Sequence, residues 1–309
     1  MCTPSYQAQV WSARERTTLR KTFGTLAEAR TWRQESQVAL RKGTLRSPSS
    51  ITLLQATEEL LAAAEAGVVR TRSGDRYKPS AVRAYRQALK HRVLPSLGNK
   101  RLTAISQEML QDLADQLSAS GLSPSSVRNT VLPLRAIYRR AHRRGEVALN
   151  PTLRLALPAV RGRRDRIAIP TEAAALIDLL PLNERPIWMT ALFGGLRLGE
   201  LQALERNNID LEHNLIHVEQ SWDRHTGFVA PKSRSGIRRV PITATLRREL
   251  INHRLRQGKG GQGFAFPNQT NTGPFNPGTI TLHAKTAWAA ADLTPIGLHE
   301  CRHSYAAPT

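Results

Sequence analysis

The stretch Ala191-Leu192-Phe193-Gly194-Gly195-Leu196-Arg197-Leu198-Gly199-Glu200-Leu201 decides the fold when read with Leu298-His299-Glu300-Cys301-Arg302-His303-Ser304-Tyr305-Ala306 near the end of the chain. In the first stretch two apolar helical segments flank a pair of glycines, so the backbone can turn tightly and expose the guanidinium that follows. In the second, His299 and Arg302 stand at i and i+3 of a helix and share a face beside Leu298 and Tyr305. Two arginines far apart in sequence, with a histidine beside the second, are the donors needed to clamp a phosphodiester and stabilise charge on its oxygens. Glu200 is placed to accept hydrogen bonds that orient Arg197 or a neighbour. The same letters also spell H-E-x-x-H, in which His299 and His303 would bind zinc and Glu300 would activate water. That reading needs a third ligand, for which Glu200, His213 and His217 are the upstream candidates.

Composition narrows the choice. The chain has 309 residues, of which 40% are apolar, long enough for two or three domains with real cores. Lys and Arg outnumber Asp and Glu by 45 to 24, a formal charge of +21, so a polyanion is the expected partner. Nucleic acid is favoured over a membrane, because the basic residues are spread through folded-looking segments and no Trp/Leu face lies beside a Lys face. Cys2 and Cys301 sit at opposite ends with no partner at metal-site spacing, so no disulfide framework or zinc ribbon is coded, and neither a cofactor nor a bound metal is expected of the favoured reading. The first residues carry no signal pattern and no apolar run reaches membrane-spanning length, so the expected compartment is the cytoplasm.

The patterning predicts a mainly α protein with small β-sheets. Residues 1–45 read as two or three short strands around Tyr6, Ala8, Val10, Leu19 and Phe23, then a helix capped by Thr25 and ending near Gly43. Residues 44–50 look like a linker. Residues 51–150 are helical throughout, with Pro95 and Gly98 as a break, helices over 103–118 and 123–144, and Asn150-Pro151 and Leu157-Pro158 as stops. Arg161 to Arg166 form a basic linker, and a third unit over 165–309 starts its first helix at Pro170. There, helices are expected over 184–193, 198–205, 245–256 and 279–291, with strands over 215–221, 227–230 and 237–242 and a turn at 233–236. Gly258 to Gly263 read as a flexible loop, since the P-loop Lys-Ser/Thr ending is missing.

Two helices are charged on one side only. Between Val127 and Arg144 there are six arginines and no carboxylate, with Arg128, Arg135, Arg139, His142 and Arg143 gathered opposite Val127, Val131, Leu134, Tyr138 and Ala141. Arg83, Arg86 and Lys90 repeat this beside Val82, Tyr85 and Leu89. Solvated faces usually mix signs; these carry only cations, as phosphate contact requires. Lys232 lies at the start of a hairpin turn, Pro231 to Pro241, from which a flexible amine can swing toward a leaving oxygen. Arg234, Arg238 and Arg239 beside it remain ambiguous between surface and site.

Taken together, 191–201, the Pro231-Lys232 hairpin ending at Val240-Pro241, and 298–306 make the chain resemble the tyrosine recombinases of the phage integrase family over nearly its whole length. The resemblance implies an arm-type DNA-binding domain at 1–45, a helical SAM-like core-binding domain at 51–150 and a catalytic domain at 165–309. It implies that Arg197 and Arg302 bind the scissile phosphate, that His299 assists, that Lys232 is the general acid for the leaving 5′ hydroxyl, and that Glu200 supports the site. It implies double-stranded DNA as the partner, with full-length recombinase protomers as further candidates. The family pattern continues to a nucleophilic tyrosine that forms a phosphotyrosyl bond to DNA. Only seven residues follow Arg302, so the catalytic domain is expected to lack its last helices and the chain not to cleave DNA alone. Tyr305 falls where the family carries an aromatic packing residue, while Tyr6, Tyr77, Tyr85 and Tyr138 fall in the binding domains. A non-catalytic DNA-binding regulator or competitor is the alternative, and the zinc hydrolase the remote one.

Overall fold

The computed structural model describes residues 4–13, 17–41, 50–161, 166–231, 236–258 and 263–306. Most of the 44–50 linker, residues 233–235 of the expected turn, the centre of the Gly258 to Gly263 loop, and Cys2 lie outside that set. The chain divides into two compact units, 1–161 and 162–309.

In the first unit, β1 (Tyr6–Ser12) and β2 (Thr17–Phe23) pair antiparallel with Val10 opposite Leu19. Two strands are found among the described residues. Their alternation buries Ala8, Val10, Ser12 and Leu19, and α1 (Leu26–Arg41) contributes Ala29 and Ser36, with Trp32 tilted against Phe23. The helical part starts with α2 (Leu53–Glu65), where Thr52 and Gln55 satisfy each other's backbone N–H groups as a capping box. Next comes α3 (Pro79–Ala88), which runs into a single π turn at Leu89–Val93 before the short α4 (Leu94–Leu97). Pro95 has no N–H to give, so the wider turn ahead of it lets the chain continue in the same direction. Ser106 caps α5 (Gln107–Ala119) and Ser123 caps α6 (Pro124–Arg144), which Gly145 ends in the left-handed region at φ 71°. Leu53, Leu60, Leu89, Val93, Leu110, Leu134, Ile137 and Tyr138 form the core. The segment that leaves α6 is strapped down: Gln111 bonds both the N–H and the carbonyl of Ala156 at 2.9 Å, and Arg128 donates to the carbonyls of Leu157 and Pro158.

In the second unit, α7 (Pro170–Asp178) precedes α8 (Arg185–Gly194), which is apolar on nearly every side and lies at the centre of the core. α9 (Leu198–Ala203) follows the Gly195-Leu196 turn and stops two residues short of its expected end, where a 3-10 turn at Arg206–Asn208 takes over. The expected strand over 215–221 is two strands. β4 (Leu215–Val218) lies between β3 (Ile209–Asp210) and β7 (Arg238–Pro241), whereas β5 (Ser221–Asp223) pairs with β6 (Gly227–Val229) in a separate hairpin. Glu219 and Gln220 separate them, so hydropathy alone reads as one run what hydrogen bonding divides. Three helices complete the unit: α10 (Ala244–Gln257), α11 (Pro277–Ala290) and α12 (Leu298–Ala306). Trp188 and Trp288 meet edge to face at 4.9 Å, and Trp288 Nε1 donates to the Leu176 carbonyl at 2.8 Å, joining α7, α8 and α11.

Trp288→Ala removes that junction and is expected to destabilise the second unit by about 3–5 kcal/mol. Denaturant titration followed by amide exchange in α7 and α8 measures this; an unchanged midpoint there would show that the tryptophan pair does not hold the helices together.

Candidate functional site

α8 ends because Gly195 takes φ 59°, its N–H closing on the Ala191 carbonyl at 3.2 Å. Only glycine suits the position on two counts: the backbone is left-handed, and the Tyr305 ring fills the space where a Cβ would go. Leu196 is then fully buried, and that anchor delivers Arg197 to the N-cap of α9.

Glu200, one turn into α9, is the centre of the site. Its side chain is 1% exposed. Oε1 accepts from Arg197 Nη1 at 2.8 Å, and Oε2 accepts from the Arg197 backbone N–H at 2.9 Å and from Arg238 Nη2 at 2.7 Å. Burial pushes the carboxyl pKa up, but the hydrogen bonds from Arg238 and Arg197 outweigh it and hold the group below its ordinary value, so it stays ionised.

The last helix adds the second expected arginine. Leu298 and Cys301 bury one face of α12, and burial pushes the Cys301 thiol up to about 12, which leaves it inert. Arg302 donates through Nη1 to the Gly195 carbonyl, bringing together the two stretches that decide the fold. Its pKa is lowered first by burial and then by repulsion from Arg197 and Arg238. Three guanidiniums thus share one small region with a single carboxylate, an excess of positive charge suited to an anion. His299 lies one turn before Arg302 on the exposed side of α12.

Lys232 lies outside the described residues. Arg238, ambiguous in sequence between surface and site, belongs to the cluster. The signal was present: Val240 opposes Ile216 in the buried layer, and Arg238, two residues earlier, opposes buried Val218 and shares that face. Arg239 points the other way and is exposed.

The His299 and His303 rings lie 4.9 Å apart, but among the described residues no third ligand completes the zinc pattern. Glu300 turns back to the N–H of Gly297 at 2.6 Å, Glu200 is held by the arginines, and His213 Nδ1 meets Asp210 at 2.8 Å. No group of three or more His, Cys, Asp or Glu side chains gathers as a metal site among the described residues.

The basic helices are only partly free. α3 and α6 do share a core, and Arg139 lies close enough to Tyr85 to act on its ionisation. Lys90, Arg139 and Arg143 are exposed, and Arg83 and Arg135 are half-exposed. Arg86, however, pairs with Glu65 at 2.7 Å, and Arg128 is the strap on Leu157 and Pro158. Their acceptors lie 21 and about 30 positions away in sequence, beyond the reach of a helical-wheel argument.

The model of the phage integrase family matches residues 170–308, and that of the phage integrase N-terminal SAM-like domain matches residues 72–118. The ICEBs1 integrase of Bacillus subtilis is 27% identical over 221 residues, covering 66% of this chain and 59% of that protein. Tyrosine recombinase XerC of Xylella fastidiosa is 26% identical over 211 residues, covering 66% and 67%. The chain therefore spans less than two thirds of the length of the first of these. Among solved structures, the Tn1549 transposon integrase with circular intermediate DNA superposes with a TM-score of 0.66 at 17% identity, covering 83% of this chain and 86% of that one. A lambda integrase tetramer on a Holliday junction gives 0.61 at 16%, covering 96% and 87%. At those identities the structures speak to fold.

Because Glu200 is more acidic folded than unfolded, its contribution to stability is present above its ordinary value of 4.5 and is lost as pH falls through the depressed folded value. Glu200→Gln should therefore flatten the pH dependence of second-unit stability as pH falls below about 5. Thermal melts across that range test it; a profile parallel to wild type would show that the carboxylate is not ionised in place.

Proposed function

The chain belongs to the tyrosine recombinase family, and on that premise we propose that it binds duplex DNA and holds one phosphodiester between Arg197 and Arg302. The observation that carries this reading is the buried Glu200 carboxylate, which fixes Arg197 beside an Arg302 that is itself anchored on the Gly195 carbonyl. Cations pre-placed in this way need not reorganise as charge develops on the phosphoryl oxygens, so they stabilise the transition state more than the ground state. His299, exposed on the same helix, assists proton transfer at the phosphate. Lys232 is the general acid that protonates the leaving 5′ hydroxyl. The related Tn1549 and lambda integrases have been solved on DNA, which supports a duplex partner for this chain. Lys90, Arg135, Arg139 and Arg143 are the side chains of the helical unit assigned to its backbone, with Arg83 at the margin. Residues 1–45 act as a further DNA-binding module of arm type.

The nucleophile is assigned to none of the five tyrosines in these 309 residues. Tyr138 is buried, and Tyr77 and Tyr85 pack edge to face at 5.7 Å. Tyr305 lies over Gly195 as the cover of the turn that presents Arg197, a role its ring performs and its hydroxyl does not need. Strand cleavage then draws on a tyrosine from a segment outside these residues or from a second recombinase protomer. The second reading is a non-catalytic DNA-binding protein that competes for a recombinase's site.

Two measurements test this. Duplex affinity should fall steeply with salt, by about tenfold for a doubling of ionic strength if some four phosphates are neutralised. A suicide substrate, in which the cleaved strand diffuses away, should give no covalent protein-DNA adduct with this chain alone. Absence of duplex binding at low salt would overturn the reading, and an adduct abolished by Tyr305→Phe would overturn the assignment of Tyr305.

A further inference from the structure

We propose that Arg238 is a positioning residue of the phosphate site: by occupying one oxygen of Glu200 it prevents that carboxylate from closing on Arg197 with both oxygens, and so keeps the Arg197 guanidinium available to the anion. The proposal rests on the reading of Arg197 and Arg302 as phosphate-binding residues. It starts from the geometry of a guanidinium facing a carboxylate, whose strongest arrangement is two parallel N–H···O bonds. Arg197 and Glu200 do not adopt it. Arg197 gives one side-chain bond, Nη1 to Oε1 at 2.8 Å, because Oε2 is already taken by Arg238 Nη2 at 2.7 Å and by the Arg197 backbone N–H at 2.9 Å.

Arg238 is held for this task independently of Arg197. Its strand position places it on the same side of β7 as buried Val240, and its Nη1 donates to the Gly236 carbonyl at 3.1 Å. Its side chain is 24% exposed against 36% for Arg197, so the arginine that satisfies the carboxylate is the more deeply set of the two. Without Arg238, Oε2 would keep only a backbone donor. A buried carboxylate left short of partners recruits the nearest cation, and both Arg197 and Arg302 lie within its neighbourhood. Either would be turned inward, and the clamp would lose the charge it presents.

The test uses the full chain and a random-sequence duplex, with affinity measured by fluorescence anisotropy across a salt series. Arg197→Ala and Arg238→Ala should each weaken binding by about tenfold and lower the salt slope by about 1. The double variant should be within about twofold of Arg197→Ala, since the second change acts through the first. In a Glu200→Gln background, where no buried carboxylate competes for Arg197, Arg238→Ala should change binding by less than about twofold. That pair also decides the matter if Arg238→Ala alone fails to fold. Additive losses in the double variant, an unchanged salt slope in Arg238→Ala, or a full loss in the Glu200→Gln background would each overturn the proposal. If Arg197→Ala binds as wild type, the phosphate reading beneath it fails instead; if Arg197→Ala is weakened and Arg238→Ala is not, the positioning role alone fails.

Discussion

A buried carboxylate surrounded by guanidiniums governs the second unit. Removing one charge from water costs several kcal/mol unless partners replace the lost hydration, and Glu200 recovers it through three N–H donors from two arginines. Arg197 arrives from the turn after α8 and Arg238 from β7. Arg302, from α12, reaches the same place by bonding the Gly195 carbonyl. Helix, sheet and terminal helix are thereby required to meet at one point. Similar charges would not gather there without the carboxylate, and the carboxylate would not be buried without them, so the parts of the site depend on one another.

Much of this was legible in the sequence because it is local. The Gly-Gly turn, the i, i+3 relation of His299 and Arg302, the helix start at 123 and the apolar faces of α3 and α6 follow from spacing alone. The contribution of Arg238 was not recovered, although strand alternation around Val240 held the clue, since a run of three arginines within six residues gives composition no reason to choose one. The break between β4 and β5 was missed for a related reason. Hydropathy continues across Glu219 and Gln220 while the hydrogen-bonding partner changes from β7 to β6.

The basic helices show what periodicity cannot see. A wheel places Arg128 with Arg135, Arg139 and Arg143, but whether a guanidinium faces solvent or a distant carbonyl depends on where the rest of the chain returns. With Gln111 it acts as a clasp, the glutamine carboxamide recognising Ala156 as a strand neighbour would. Part of the positive charge in this helical unit is thus structural, and the charge count alone overstates the surface open to an anion.

The two ends of the second unit are also tied. The N–H of Ala168, at its entrance, donates to Ser304 Oγ on α12, and that hydroxyl donates in turn to the Glu300 carbonyl within the same helix. Arg302 lies between those two residues. The strand of chain that brings the unit in is therefore a mooring for the helix that carries its second arginine. The position of Arg302 is thus tied to the unit's first described residues through its helix neighbour Ser304 as well as through the packing of α12 on the core.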